Sequence, residues 1–353
     1  MVPLYKPFMP SKLPELQNIL DSGMLNYSRW GKIFEKNLSD FIGNPYIITL
    51  NSYNSAVFVA ISTLGLKNGD EIIASPMSCL ASNQPYIIMG VKIIWADIDP
   101  QTGTLDPDDV RKKITINTKA ILHNHFCGYP GYINEINNIG KEKSIYVIDD
   151  AIEAFGSEYK ENKIGNVNSD VTLYSFQTVR LPNTIDGGAI AFKSQEHYEK
   201  ALLVRDYGID RSSFRSSDGE INPQCDIKIS GYGALLNEVN SYIGYEQMKL
   251  IDKLLEKQRL NSKFWKEFIP NNHLDSTKLI EIVEGSNPNY WIFGILVKNK
   301  NEALKFFRDK NYYASSVHLS NNLYSVFNNS IKLIGVEEFS NKFLALPCGW
   351  WMN

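Results

Sequence analysis

Apolar residues recur along this chain in two rhythms, and the alternation between them predicts an α/β fold. Leu13, Leu16, Ile19 and Leu20 follow Ser11 at helical spacing and stop at Gly23, which predicts a short capped helix. A second helix is predicted to start near Asn51–Asn54 and to run through AVFVAISTLGL. Short, nearly unbroken Ile/Val-rich runs come next: EIIAS (71–75), VKIIWADI (91–98), KAILHNH (119–125), SIYVIDD (144–150), VTLYSF (171–176) and AIAF (189–192). Such runs suit strands buried on both faces of a mainly parallel sheet, with helical patterns between them. Polar, turn-forming stretches follow most of them, where ligand loops sit in open α/β sheets. The alternation ends near residue 200, and 212–233 reads as a long, polar, irregular connection of the kind that is often functional. Residues 236–268 then carry apolar positions at helical spacing over many turns, before YWIFGILV, a helical NEALKFFRDK and a VHL strand. The expected organisation is an N-terminal arm (1–11), a large α/β domain (12–235) and a smaller α+β domain (236–353).

Composition narrows the classes. At 353 residues the chain is two to three times a single domain of about 100–150 residues. With 43% hydrophobic and 21% charged residues it is too apolar for disorder. Lys and Arg number 36 against 39 Asp and Glu, so a nucleic-acid binder is not expected. No apolar run approaches the roughly 20 residues of a membrane span, and the N-terminus lacks the order of a signal peptide. The four cysteines lie far apart without zinc spacing, so reduced thiols, no metal site and a cytoplasmic protein are expected.

Several polar groups stand where chemistry would be placed. Asp149 and Asp150 end a predicted buried strand, with Glu153 one helical turn on. Such residues cap helices as readily as they pair with a protonated heteroaromatic nitrogen. Ser175 and Phe176 close another strand, Gly187–Gly188 precede the next, and His125 opens the turn HFCGYPG. A glycine pair also serves a plain hairpin or bulge, and a lone histidine is usually a satisfied polar group.

Taken in order, these groups resemble the fold-type I, pyridoxal-phosphate-dependent aminotransferases that act on nucleotide-linked ketosugars (the DegT/StrS family). The resemblance runs through GMLNYSRWGKIFEKNLSDFIG, LNSYNSAVFVAISTLGLKNGDEIIASPMSCLASN, VIDDAIEAFGSEYKENKIGNVNSD, GYGALLNEVNSYIG, YWIFGILV, VHLSNNLYSVF and FLALPCGWW. It implies that Asp150 holds the cofactor's ring nitrogen, Glu153 partners its ring hydroxyl, and Ser175 binds its phosphate with the Ser52, Tyr53, Asn54 helix start. Tyr27, His318, Asn321 and Tyr324 fall on the substrate side. A homodimer with sites near the subunit boundary is implied as well.

The departures matter as much. Where the family has its Schiff-base lysine this chain has Arg180, whose guanidinium stays protonated and forms no imine. Asn54 stands for the usual Thr, Cys79 for a stacking aromatic, Gly233 for an Asn that reaches the partner's phosphate, and Leu235 for an Arg. An engineered or mistaken Lys-to-Arg change accounts for Arg180 alone. The resemblance therefore implies a nucleotide-sugar protein that holds pyridoxal or pyridoxamine phosphate noncovalently or not at all. Arg180, Glu153 and His125 are its candidate catalytic residues. A non-catalytic protein of the same fold, or a conventional aminotransferase if Arg180 is not native, are the alternatives.

Overall fold

The computed structural model describes residues 1–272, 277–328 and 331–352. Two short helices, α1 (Leu16–Asp21) and α2 (Arg29–Ile42), precede the first strand, β1 (Ile47–Leu50). Helix α3 (Tyr53–Leu64) leads to β2 (Glu71–Ala74), and α4 (Leu80–Ile88) to β3 (Lys92–Trp95). Next come α5 (Pro107–Lys113), β4 (Thr118–Asn124), α6 (Ile133–Lys143) and β5 (Tyr146–Asp150). A small ribbon, β6 (Glu158–Tyr159) and β7 (Asn162–Lys163), leads to β8 (Val171–Ser175), β9 (Gly188–Phe192) and α7 (Gln195–Val204). These strands form a seven-stranded sheet in the order β1-β9-β8-β5-β4-β2-β3. Strands β8, β5, β4, β2 and β3 run parallel, and β9 is antiparallel to both its neighbours. The α/β class and the mainly parallel sheet are as the hydrophobic runs predict. Every residue of β1, β8 and β9 is buried, which is why those runs lack a polar alternation.

The second half adds α8 (Glu238–Met248), α9 (Ile251–Asn271), β10 (Lys278–Leu279) and β11 (Ser286–Asn287), the last pairing with β6. Strand β12 (Phe293–Leu296), helices α10 (Lys300–Asp309) and α11 (Ile334–Lys342), and β13 (Phe343–Leu346) follow. A three-stranded antiparallel sheet, β10-β12-β13, carries the C-terminal core. Among the described residues no helix is long and apolar enough to cross a membrane.

Two local expectations need correction. The first helix starts at Leu16, and Ser11 does not cap it. Pro14 biases Leu13 away from helical backbone, and Leu13 and Leu16 pack on the Trp30–Tyr242 cluster instead. The VHL segment is no strand: the nearest ladder contact is an isolated bridge between Ser315 and Ala345. The stretch 236–268 is divided into α8 and α9 at Lys249–Leu250. Strands β1 (IITL) and β13, of four residues each, and the two-residue β6, β7, β10 and β11 were not anticipated, because runs that short carry no readable period.

Candidate active site

Strand β5 ends on two carboxylates that point to opposite faces of the sheet, as successive strand residues must. The parallel register sets His123 of β4 beside Asp149 and Asn124 beside Asp150. On one face Asp149 meets His123 Nδ1 at 3.1 Å, the donated hydroxyl of Ser169 at 2.6 Å and His125 Nε2 at 3.5 Å. The Gly131 N–H donates to His125 Nδ1, which leaves the His125 proton on Nε2, facing Asp149. Both imidazoles and Asp149 are fully buried. Burial works to raise the pKa of Asp149, but His125 and His123 beside it hold it well below the usual carboxylate range. Burial keeps His123 below its usual value.

The opposite face carries Asp150, also fully buried. The Tyr53 hydroxyl donates to its Oδ1 at 2.7 Å, Asn124 Nδ2 donates to its Oδ2 at 2.9 Å, and the Ile152 N–H donates to Oδ1 at 3.2 Å. Tyr53 is the first residue of α3, and its ring is only 5% exposed. At the start of that helix the Ser55 N–H donates to Ser52 Oγ, and the Ser55 hydroxyl to Asn51 Oδ1. Asn54 faces solvent. Gly188, at the start of β9, lets this turn approach, since a Cβ there would come within 2.8 Å of the Ser52 carbonyl oxygen.

A second polar cluster forms where the loop after β5 meets the C-terminal half. Arg180 Nη1 lies 3.3 Å from Glu153 Oε1, and His318 Nε2 lies 3.0 Å from the same oxygen. Glu153 Oε2 accepts the Cys127 N–H at 2.9 Å. Burial works to raise the pKa of Glu153, and His318 and Arg180 outweigh it and hold the carboxyl low. The Arg180 guanidinium lies over the Trp291 ring at 4.4 Å, and Tyr5 of the N-terminal arm stacks on the same ring at 4.6 Å. Arg180 is only 7% exposed, yet its Nε has no hydrogen-bond acceptor. A cavity of only about 10 Å³ beside it is lined by Glu153, Ser175, Arg180, Gln258, Asn289 and Trp291. That is below the roughly 300–1,000 Å³ typical of enclosed small-molecule sites. His318 follows Val317, whose φ of +62° is a conformation a β-branched residue adopts only when its surroundings impose it.

The residues singled out in the sequence thus divide. Glu153, Arg180, Ser175 and His318 surround or adjoin one cavity, and Cys79 lies close enough for the Glu153 charge to add to burial in raising its thiol pKa. Tyr53 and Asp150 are joined to each other. His125 is enclosed with Asp149, so the histidine that reaches Glu153 is His318. Asn321 is buried and its amide is used internally, donating to the Ser78 carbonyl and accepting from Asn83. Tyr324 is half-buried against the main core. Tyr27 belongs to another group: its hydroxyl donates to Glu35, which also binds Arg205 and Thr49. Tyr27, Gly233 and Leu235 line one open depression, and Tyr207 lies over Gly233, where a Cβ would come within 2.1 Å of its Oη. Trp291, Asn124 and Tyr5 were not anticipated, because nothing in an apolar YWIFGILV or in a seven-residue strand marks a side chain for a site.

Comparison with known proteins now adds to this geometry. Residues 9–353 match the model of the DegT/DnrJ/EryC1/StrS aminotransferase family. The chain belongs to that family. It is 29% identical, over 91% of its length and 85% of the relative's, to the UDP-4-amino-4,6-dideoxy-N-acetyl-beta-L-altrosamine transaminase of Campylobacter jejuni. It is 26% identical to the spore coat polysaccharide biosynthesis protein SpsC of Bacillus subtilis, over 71% of this chain and 66% of that protein. Its structure is similar to that of the sugar aminotransferase CalS13 from Micromonospora echinospora, with a TM-score of 0.92 and 25% identity, covering 100% of this chain and 96% of that one. The DegT/DnrJ/EryC1/StrS fold is therefore the fold-type I aminotransferase fold.

Whether this chain's residues fit the pyridoxal phosphate of such proteins is a matter of geometry. The two expected anchors are Asp150 and the start of α3. Here a side chain from the second anchor, Tyr53, is bonded to the first, so the space between them is filled. The residues present do not fit the cofactor in the expected pose.

Proposed function

We propose that this chain recognises a nucleotide-linked sugar in surface-polysaccharide or modified-sugar biosynthesis and does not perform ordinary transamination. The observation that carries the reading is Arg180, at the position where the family resemblance sets the cofactor-anchoring lysine, buried and paired with Glu153. An arginine forms no imine and moves no proton at neutral pH. Its unpartnered Nε suits an anionic or carbonyl oxygen of a ligand lying across the mouth of the cavity. Proton movement falls to the Glu153–His318 pair, one hydrogen bond apart. His125, enclosed beside Asp149, is not proposed for that role. Binding without turnover is the second reading, favoured by the ion pair that engages Arg180 within the protein. The similarity to sugar-modifying relatives supports the substrate class. A cytoplasmic homodimer completes the proposal, supported by the family resemblance and by the open depression at Gly233.

A thermal-shift panel of UDP-, GDP- and dTDP-linked hexoses tests the reading. At a hundredfold excess over Kd a ligand adds about 2.7 kcal/mol, which raises Tm by roughly 4 °C in a chain of 353 residues. At least one nucleotide sugar is expected to do so, and Arg180→Ala to lose the shift. A panel that leaves Tm unmoved would sink the proposal.

A further inference from the structure

We infer that Tyr53 is a built-in occupant of the cofactor seat, and that its phenol closes the site to pyridoxal phosphate even when a lysine is supplied at position 180. The seat, as the family resemblance defines it, runs from the carboxylate of Asp150 to the N-terminus of α3. A pyridine ring held at both ends must lie between them. Tyr53 spans that same path from within the chain. It begins at the first residue of α3, lies in the main hydrophobic core at 5% exposure, and ends with its hydroxyl 2.7 Å from Asp150 Oδ1.

The hydrogen bonding of Asp150 is complete without a ligand. The buried carboxylate receives three donors, from Tyr53, Asn124 and Ile152, which satisfies the charge that a protonated ring nitrogen would otherwise answer. Burial raises the Tyr53 phenol well above its ordinary pKa, with Asp150 adding to it, so the hydroxyl stays a donor. At the other end of the seat the side chains are engaged within the chain: Ser52 Oγ accepts the Ser55 N–H, and Asn51 Oδ1 accepts the Ser55 hydroxyl. Asp150 thereby becomes a structural group that ties α3 to β4 and β5. A cofactor would have to expel an aromatic ring from a packed interior and break a hydrogen bond to a charged group before making its own contacts.

The test separates the plug from the missing lysine. Arg180→Lys, Arg180→Lys/Tyr53→Phe and Arg180→Lys/Tyr53→Ala are each mixed with pyridoxal phosphate and reduced with borohydride, and the adducts are mapped by peptide mass. Mapping is required because surface lysines also react with the aldehyde. The expected result is no adduct at residue 180 in the first two, since both keep the ring. The Tyr53→Ala double variant should be labelled there, with affinity at least about a hundredfold higher. Labelling of Lys at position 180 with Tyr53 intact would overturn the inference. So would a folded double variant, judged by circular dichroism, that remains unlabelled. If Tyr53→Ala prevents folding, the conservative Arg180→Lys result still decides, because Tyr53 remains in place there. The inference uses the reading of position 180 only to install its reporter. Its failure leaves nucleotide-sugar binding by the wild type, measured by thermal shift, untouched.

Discussion

At the scale of single residues, two carboxylates at and just after the end of β5 sit in separate networks. Asp149 sits in a closed network with His123, His125 and Ser169, and Glu153 is held by His318 and Arg180. Their pH signs agree. Asp149 and Glu153 have lowered folded-state pKa values, so their stabilisation is present above the ordinary carboxylate range and lost as pH falls through the folded values. His123 is also lowered, so the unfolded chain binds a proton below about pH 6.5 that the folded chain refuses. Stability should therefore fall as pH drops from 7 to 5, by up to about 1.4 kcal/mol per pH unit from His123. Urea denaturation across that range checks this, and His123→Gln should flatten the slope. An unchanged slope would place the titration elsewhere. The positions of Asp149, Asp150 and Ser175 at strand ends were legible because a hydrophobic run followed by acids or a turn is a local signal. The partnership of Tyr53 with Asp150 was not, since 97 residues separate them.

At the scale of elements, helix ends are held by side chains from distant sequence. Glu238, the first residue of α8, is buried, and its carboxylate accepts N–H groups from Ser28, Trp30 and Gly31 at the start of α2. These donors have no partner within their own helix, and a carboxylate also suits the positive end of its dipole. Glu238→Ala should cost about 2–3 kcal/mol, because three sheltered donors lose a charged acceptor together. Glu238→Gln should recover about half of this by keeping one acceptor oxygen. The midpoints of urea unfolding distinguish the two, and equal losses would argue against the carboxylate as the cap. No motif around residue 28 marks this cap, because Ser28 itself makes no capping bond. The strands were easier: six of the runs became β2, β3, β4, β5, β8 and β9. The VHL segment failed as a strand because three apolar-polar residues carry no information about a ladder partner.

At the scale of the whole molecule, the proposed homodimer has a candidate face. Tyr27, Arg205, Asp206, Arg211, Gly233 and Leu235 line an open depression beside the irregular 212–233 segment. The proposed homodimer would cover this face. Sedimentation velocity at micromolar concentration should give a dimer near twice 40.1 kDa. Replacing Tyr207, exposed on this face, by Glu should shift that dimer toward monomer by setting a buried charge in the contact. Monomer alone from the wild type would remove the dimer from the proposal.

What the sequence determined by itself is whatever depends on near neighbours. The α/β class, the six strands, the start of α3 near Asn51–Asn54, and the acids at the end of β5 follow from periodicity and from residue chemistry within a few positions. The tertiary structure alone decided which of those groups meet. It put His318 rather than His125 on Glu153 across 165 residues, set Arg180 over Trp291, and carried the Tyr53 phenol to Asp150. The physical reason is that a strand register fixes the face and depth of every side chain at once. A residue's partner then depends on how whole elements pack, and a local pattern holds no record of that.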